Sequence, residues 1–245
     1  MFKSVASRLR GRDLFGVMKL VVLNMRHACT ALTPGARARR AADEAFDRTW
    51  GTDTSRPVSV HDLDIGRARI AQCNRYEASG EAMLREPLAA LGIDPGRYDF
   101  IDYGAGKGRV LMLALQSRFR SVTGIELSAR LCETAQANLE KFSSRAGMTR
   151  AARIIGADAT MFLPSGANIL AYFYNPFDAS VMEVVRHRLE HALRTGTRRV
   201  AIIYANAEHA KVFGDAAGWT QGPSVAGAST FVAEAQAFRT AAIAA

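Results

Sequence analysis

The sequence predicts an α/β fold with a doubly wound, mostly parallel seven-stranded sheet, closed by an antiparallel C-terminal hairpin and preceded by an N-terminal helical extension. Three observations carry this. From Tyr98 onward, short β-branched and aromatic runs alternate with amphipathic helical stretches, the signature of parallel strands joined by right-handed crossovers. A glycine-rich turn follows the first of those runs. Two further strand-like runs close the chain with no helical stretch long enough to separate them as a crossover.

At the N-terminus, Leu14, Met18, Val21, Met25, Ala28 and Leu32 recur at steps of four and three, with Arg12, Lys19 and Arg26 opposite. That spacing predicts an amphipathic helix with a basic outer face, stopping at Thr33-Pro34-Gly35. Residues 46–76 are rich in polar residues, glycine and proline and read as a long connector of the kind that covers a site. Residues 77–91 have helical spacing up to Gly92, and Asp94-Pro95-Gly96 makes a turn. Strands are then expected at 99–103, 121–126, 152–157, 168–174 and 198–205, with helices at 107–117, 128–143 and 179–194. A helical piece at 208–213 and strands at 219–225 and 229–238 finish the sheet. The resulting division is a basic helical arm (1–40), a connector and helical cap over the site (41–97), and the sheet domain (98–245).

Charge is unevenly distributed. Residues 1–40 hold nine Lys/Arg against one acid, Asp13, whereas the other 205 residues carry 23 basic and 22 acidic side chains. The arm therefore suits a polyanion, either nucleic acid or an anionic membrane surface, and a solvated tail is the competing reading. Lys19 and Arg26 interrupt its best apolar stretch, which excludes a bilayer span. Cys29, Cys73 and Cys132 lie too far apart for a metal-ligand pattern, so no metal is expected. They also point to a reducing, cytoplasmic setting, with peripheral membrane attachment left to the arm.

The chemistry concentrates at the expected strand ends. Asp102-Tyr103-Gly104-Ala105-Gly106-Lys107-Gly108 follows the first strand, where glycines let a ligand approach the backbone. A dinucleotide fingerprint would need Gly or Ala where Arg109 stands, which disfavours a nicotinamide-dependent oxidoreductase. Glu126, 20 residues beyond Gly106, ends the second strand and is placed to accept from ribose hydroxyls. Ser128 reads as a helix N-cap, and Gly156-Ala157-Asp158 places a third acid on the same rim.

After the fourth strand comes Tyr172-Phe173-Tyr174-Asn175-Pro176-Phe177. An amine attacking a sulfonium methyl needs its hydrogens held so that its lone pair points in line. The Asn175 side-chain oxygen and the adjacent carbonyl are the expected acceptors, with Phe177 packing on the substrate.

These four motifs, in order across residues 98–205, resemble those of class I S-adenosylmethionine-dependent methyltransferases. The resemblance implies a Rossmann-like methyltransferase fold and S-adenosyl-L-methionine as cofactor. Its methionine end would lie at Asp102, Gly104, Gly106 and Gly108, its ribose at Glu126 and its adenine at Asp158. Asn175, Pro176 and Phe177 would be the catalytic set, and in that family such motifs go with methylation of nitrogen. The single proline departs from the two that nitrogen-specific members usually carry. The runs Phe46-Asp47 to Gly51-Thr52-Asp53-Thr54 and Tyr76-Glu77-Ala78-Ser79 resemble uncharacterised bacterial members, and in placement the pre-loop of non-SET lysine methyltransferases. This adds Tyr76 and Ser79 to the expected cofactor contacts. The expected methyl acceptor is a protein lysine or a small amine. An RNA or DNA base, and a non-catalytic scaffold of the same fold, stay open, as does the oligomeric state.

Overall fold

The computed structural model describes residues 33–239; the amphipathic helix expected at 14–32 lies outside them. Two compact units divide the chain, residues 1–45 and 46–245. In the first, Thr33 Oγ1 accepts from the Ala36 amide (3.2 Å) at the start of helix α1 (Pro34–Trp50). Pro34 opens this helix, since a missing N–H costs nothing at the first position. The division expected at residue 40 falls inside α1.

In the second unit, a single turn α2 (Arg67–Ile70) and helix α3 (Ala82–Leu91) precede the sheet. Residues 77–81, expected to be helical, lie outside α3; Ser79 is buried there, in hydroxyl contact with Tyr172 of the sheet. Gly92 ends α3 in the left-handed conformation, at φ 60°. The sheet domain then runs β1 (Asp99–Tyr103), α4 (Arg109–Gln116), β2 (Ser121–Glu126), α5 (Ala129–Ala146), β3 (Arg153–Gly156), β4 (Asn168–Tyr174), α6 (Ala179–Thr195) and β5 (Arg199–Ala205). It ends with α7 (Lys211–Gly214), β6 (Trp219–Gln221), β7 (Ala228–Glu234) and α8 (Ala235–Arg239). The final strand is shorter than expected because the chain turns helical at Ala235.

The strands order as β3-β2-β1-β4-β5-β7-β6, with β7 antiparallel to both neighbours and the other pairs parallel. The order reverses between β1 and β4, so the crevice of this fold lies at their carboxyl ends. Alternation along the buried strands supplies two cores. Ile101, Tyr103, Ile169 and Phe173 pack with Met182, Val185 and Leu189 of α6. Phe100, Leu170 and Tyr172 pack on the other face with Leu111 and Leu115 of α4 and Phe142 of α5. Ser128 caps α5 as expected, its hydroxyl accepting from Leu131 N (3.2 Å).

Candidate functional site

A cleft opens at the carboxyl rim of the sheet. Asp102, Gly104, Gly106, Glu126 and Asp158 all line it, from the ends of three adjacent strands. Tyr76 and Ser79 line it from the segment before α3, and Pro176 and Phe177 from the loop after β4. Two expected residues are not in its wall. Gly108 caps α4 in the left-handed conformation, where a Cβ would meet Ala135 of α5 at 3.2 Å; its service is helix packing. Asn175 is held at φ 42° next to the lining residue Pro176.

The glycine turn and Glu126 form one hydrogen-bonded unit. Amides of Gly104 and Ala105 donate to the Ile125 carbonyl (2.9 and 3.0 Å), drawing the turn onto the end of β2. Glu126 then accepts from the Gly106 amide at one oxygen (2.8 Å) and the Ser128 amide at the other (2.9 Å). Burial drives its carboxyl upward and these amides oppose the shift, leaving it above the ordinary range.

Asp102 is 3% exposed, and no hydrogen bond reaches its carboxyl from any described residue. Burial, aided by the charge of Glu126, pushes it up to about 8. A carboxylate in that position is a waiting partner for a cationic or hydrogen-bond-donating ligand. Beside it, Tyr172 and Ser79 share a short hydroxyl–hydroxyl contact. Burial first, and the nearby Asp102 charge, raise the Tyr172 phenol.

A strap before α3 covers the cleft, contributing Leu63, Ile65, Arg69, Gln72 and Cys73 to its wall. It is laced to the Asn-Pro-Phe loop. Asn74 donates its amide N–H to the Pro176 carbonyl (3.0 Å) and its side-chain amide to the Asn175 carbonyl (2.7 Å), while Asp178 N donates to Gln72 O (2.9 Å). The Asn175 Oδ1 accepts from the Tyr204 hydroxyl (3.2 Å). The acceptors expected to hold a substrate nitrogen therefore already have partners from the chain itself. Asp158 accepts from Thr160 N (2.9 Å) and pairs with Arg69 of the strap, so it also fixes its own turn.

The sequence places a connector here but does not show the bonds that lace this strap to the sheet domain. Asp64 binds the Ser128 hydroxyl and accepts from Arg130 N (3.3 Å), and Asn74 meets a partner 101 residues away. No local pattern marks either. The run 46–55, at the start of the polar connector, forms a collar behind the glycine turn. Asp47 accepts from the Thr52 hydroxyl (2.7 Å), the Thr54 hydroxyl (2.7 Å) and the Ser55 amide (2.7 Å). Thr54 Oγ1 in turn accepts from buried Arg109 (2.6 Å), whose guanidinium lies 4.1 Å from the Phe46 ring centroid. Asn138 of α5 clasps the collar and the turn together, accepting from Asp53 N (2.9 Å) and donating to Lys107 O (3.0 Å).

Among the described residues no cluster of His, Cys, Asp or Glu suits a metal ion, and no helix is long and apolar enough to cross a membrane. Burial raises the thiols of Cys73 and Cys132 to about 11, so both are neutral.

No protein-family model and no curated protein sequence matches the chain. Solved structures do. A putative methyltransferase, yhhF, from Escherichia coli is 20% identical, with a TM-score of 0.48 over 64% of this chain and 87% of that one. A ribosomal protein L11 methylase from Lactobacillus delbrueckii is 12% identical, with a TM-score of 0.46 over 64% and 80%. A magnesium protoporphyrin IX methyltransferase from Synechocystis with bound SAM is 16% identical, with a TM-score of 0.42 over 61% and 74%. By its own strand order and directions, the sheet is the Rossmann-like methyltransferase sheet.

Proposed function

We propose that the chain is an S-adenosylmethionine-dependent methyltransferase that transfers a methyl group to a nitrogen nucleophile, on a protein lysine or a small amine. The observation that carries the reading is the buried, unpartnered Asp102 carboxyl, in a cleft it shares with the glycine turn and Glu126. Bound there, S-adenosylmethionine supplies an activated methyl on a sulfonium with a good leaving group. Asp102 and the turn at Gly104 and Gly106 would hold its methionine end, Glu126 its ribose and Asp158 its adenine side, with Tyr76 and Ser79 closing the cleft.

The chain's contribution is orientation and exclusion of water, which needs neither a metal nor a dedicated base. Phe177 and Pro176 form the wall on which the acceptor packs. An amine needs two hydrogen-bond acceptors to aim its lone pair. The carbonyls of Asn175 and Pro176 supply them once Asn74 withdraws the two N–H groups that now fill them.

Calorimetry with S-adenosylmethionine and S-adenosylhomocysteine tests the reading. Binding by the parent chain and its loss in Glu126→Ala and Gly106→Arg are expected. A folded chain that binds neither ligand, or variants that bind undiminished, refutes it.

A second reading, methylation of an RNA or DNA base, is favoured by the arm's nine basic residues against one acid. Labelled-methyl transfer to a fractionated cell extract separates the two, since the labelled species is either protein and small amine or nucleic acid.

A further inference from the structure

The near-neutral balance of residues 41–245 hides a second charged feature, at the rim of the sheet opposite the cleft. Arg153 opens β3, Arg120 immediately precedes β2, Arg97 lies two residues before β1 and Arg198 immediately precedes β5. All four are exposed. Because β3, β2, β1, β4 and β5 are consecutive neighbours, these side chains form a row four strand steps long, about 19 Å at about 4.8 Å per step. Arg118 and Arg150 join it, the Arg150 guanidinium donating to the Arg118 carbonyl (3.5 Å) and the Arg120 carbonyl (3.1 Å). Arg199 completes the set.

Three acids lie with these seven arginines. Asp99 is paired with Arg120, Glu234 with Arg199, and Asp94 accepts from the Gly96 amide in its own turn. Arg97, Arg118, Arg153 and Arg198 have no acidic partner among the described residues. Arginine near a helix C-terminus offsets the helix dipole, and that accounts for Arg194 in the last turn of α6. It does not account for Arg153 and Arg198, which stand at strand starts, and Arg97 ends only a single three-residue 3-10 turn. Arg118 also holds a left-handed backbone (φ 59°), a position that glycine fills without strain.

We propose that this rim docks the phosphate backbone of a duplex nucleic acid, at a surface separate from the methyl-transfer cleft. A guanidinium takes a phosphate through two parallel N–H bonds, and a row of them along one rim matches a series of phosphates. Thr123 and Ser165 line a groove beside Arg120 and Arg153 and add hydroxyls of the kind that position a backbone. Of the aromatic residues at this rim, Tyr98 and Phe119 are buried and Phe162 is half-buried in the groove, so no fully exposed ring offers a platform for unstacked bases and the duplex form is favoured over a single strand. An anionic bilayer would want a broad apolar face, and Leu163 is the one strongly exposed apolar side chain in that groove.

The test uses the full chain, with its basic arm, and a labelled DNA duplex of about 20 base pairs in an anisotropy titration across about 50 to 200 mM salt. In R153E/R198E, two lost phosphate contacts make the slope of log affinity against log salt shallower by about 2, and affinity falls at least about tenfold. R56E, an exposed charge reversal away from the rim, keeps the parent's affinity and slope within about twofold. R153Q/R198Q, which removes charge without reversing it, shows the same trend if R153E/R198E fails to fold, as judged by melting temperature. The proposal is overturned if the folded double variants match the parent in affinity and slope, if R56E weakens binding as much, or if the full chain binds no duplex. Rim-dependent flotation with phosphatidylserine vesicles in the absence of duplex binding overturns it in favour of a lipid surface.

Discussion

The ring of Tyr76 lies on the backbone of Gly106, so close that a Cβ added there would sit 2.2 Å from a ring carbon. The Tyr76 hydroxyl donates to the Thr54 carbonyl (2.8 Å), and Gly106 is held at φ 55°. Connector, collar and glycine turn thus meet at one contact. Gly106→Ala suffers both the clash and the left-handed backbone and should cost roughly 2 to 3 kcal/mol in denaturant unfolding. Tyr76→Ala removes the clash. The double variant should therefore be less destabilised than the sum of the singles by at least about 1 kcal/mol, and strict additivity would show that the ring does not constrain the turn.

The Asp102 carboxyl gives a pH signature. Raised to about 8 from an ordinary value of 3.8, it is protonated in the free protein at neutral pH. A bound ammonium or sulfonium favours the carboxylate, so binding should release up to one proton near pH 7. Affinity for S-adenosylmethionine should rise from pH 6 towards about 8 and flatten above it. For folding the sign is opposite: the native chain binds the proton more tightly than the unfolded one, so this group's stabilisation is lost as pH rises from about 4 to about 8. Calorimetry in buffers of different ionisation enthalpy checks the first statement. Asp102→Asn should abolish the proton release.

Asp47 behaves in the reverse sense. Burial alone would raise its carboxyl, but the donors of Thr54, Thr52 and Ser55 outweigh that and hold it below the ordinary range. Its stabilisation is therefore complete above the unfolded value of 3.8 and lost as pH falls below it. Asp47→Ala leaves several donors of the collar unmatched and should cost about 2 to 4 kcal/mol at neutral pH. A loss below about 0.5 kcal/mol would mean that the collar does not depend on this residue.

Asn175 has two separable duties. At φ 42° its backbone is strained for most side chains, so Asn175→Ala should lose about 1 to 2 kcal/mol of stability while Asn175→Gly loses less. If its side chain helps to present the acceptor nitrogen, both variants should lose at least about tenfold in kcat/KM and keep cofactor affinity within about twofold. Activity that follows stability from one variant to the other, or that is unchanged in both, would remove the side chain from the transfer step.

Local physics made much of this protein readable from its residues alone. Buried parallel strands must be continuous apolar runs, which is why β4 spans the expected 168–174 and β1 the expected 99–103. Helix entry needs a cap, which marks Ser128, and close backbone approach needs glycine, which marks the turn from Gly104 to Gly108. Acids at the ends of neighbouring parallel strands share a rim by topology, so Asp102, Glu126 and Asp158 fell together on one cleft. What the tertiary structure alone decided depends on partners far apart in the chain. Asn74 on the Asn175 loop, Asp64 on the cap of α5 and Asn138 on the collar each join segments 64 to 101 residues apart. Such bonds leave no period or spacing in the sequence, because their geometry exists only after the sheet has brought their segments together. The arginine row has the same origin: residues scattered from 97 to 198 become a line only because the strand order places them side by side.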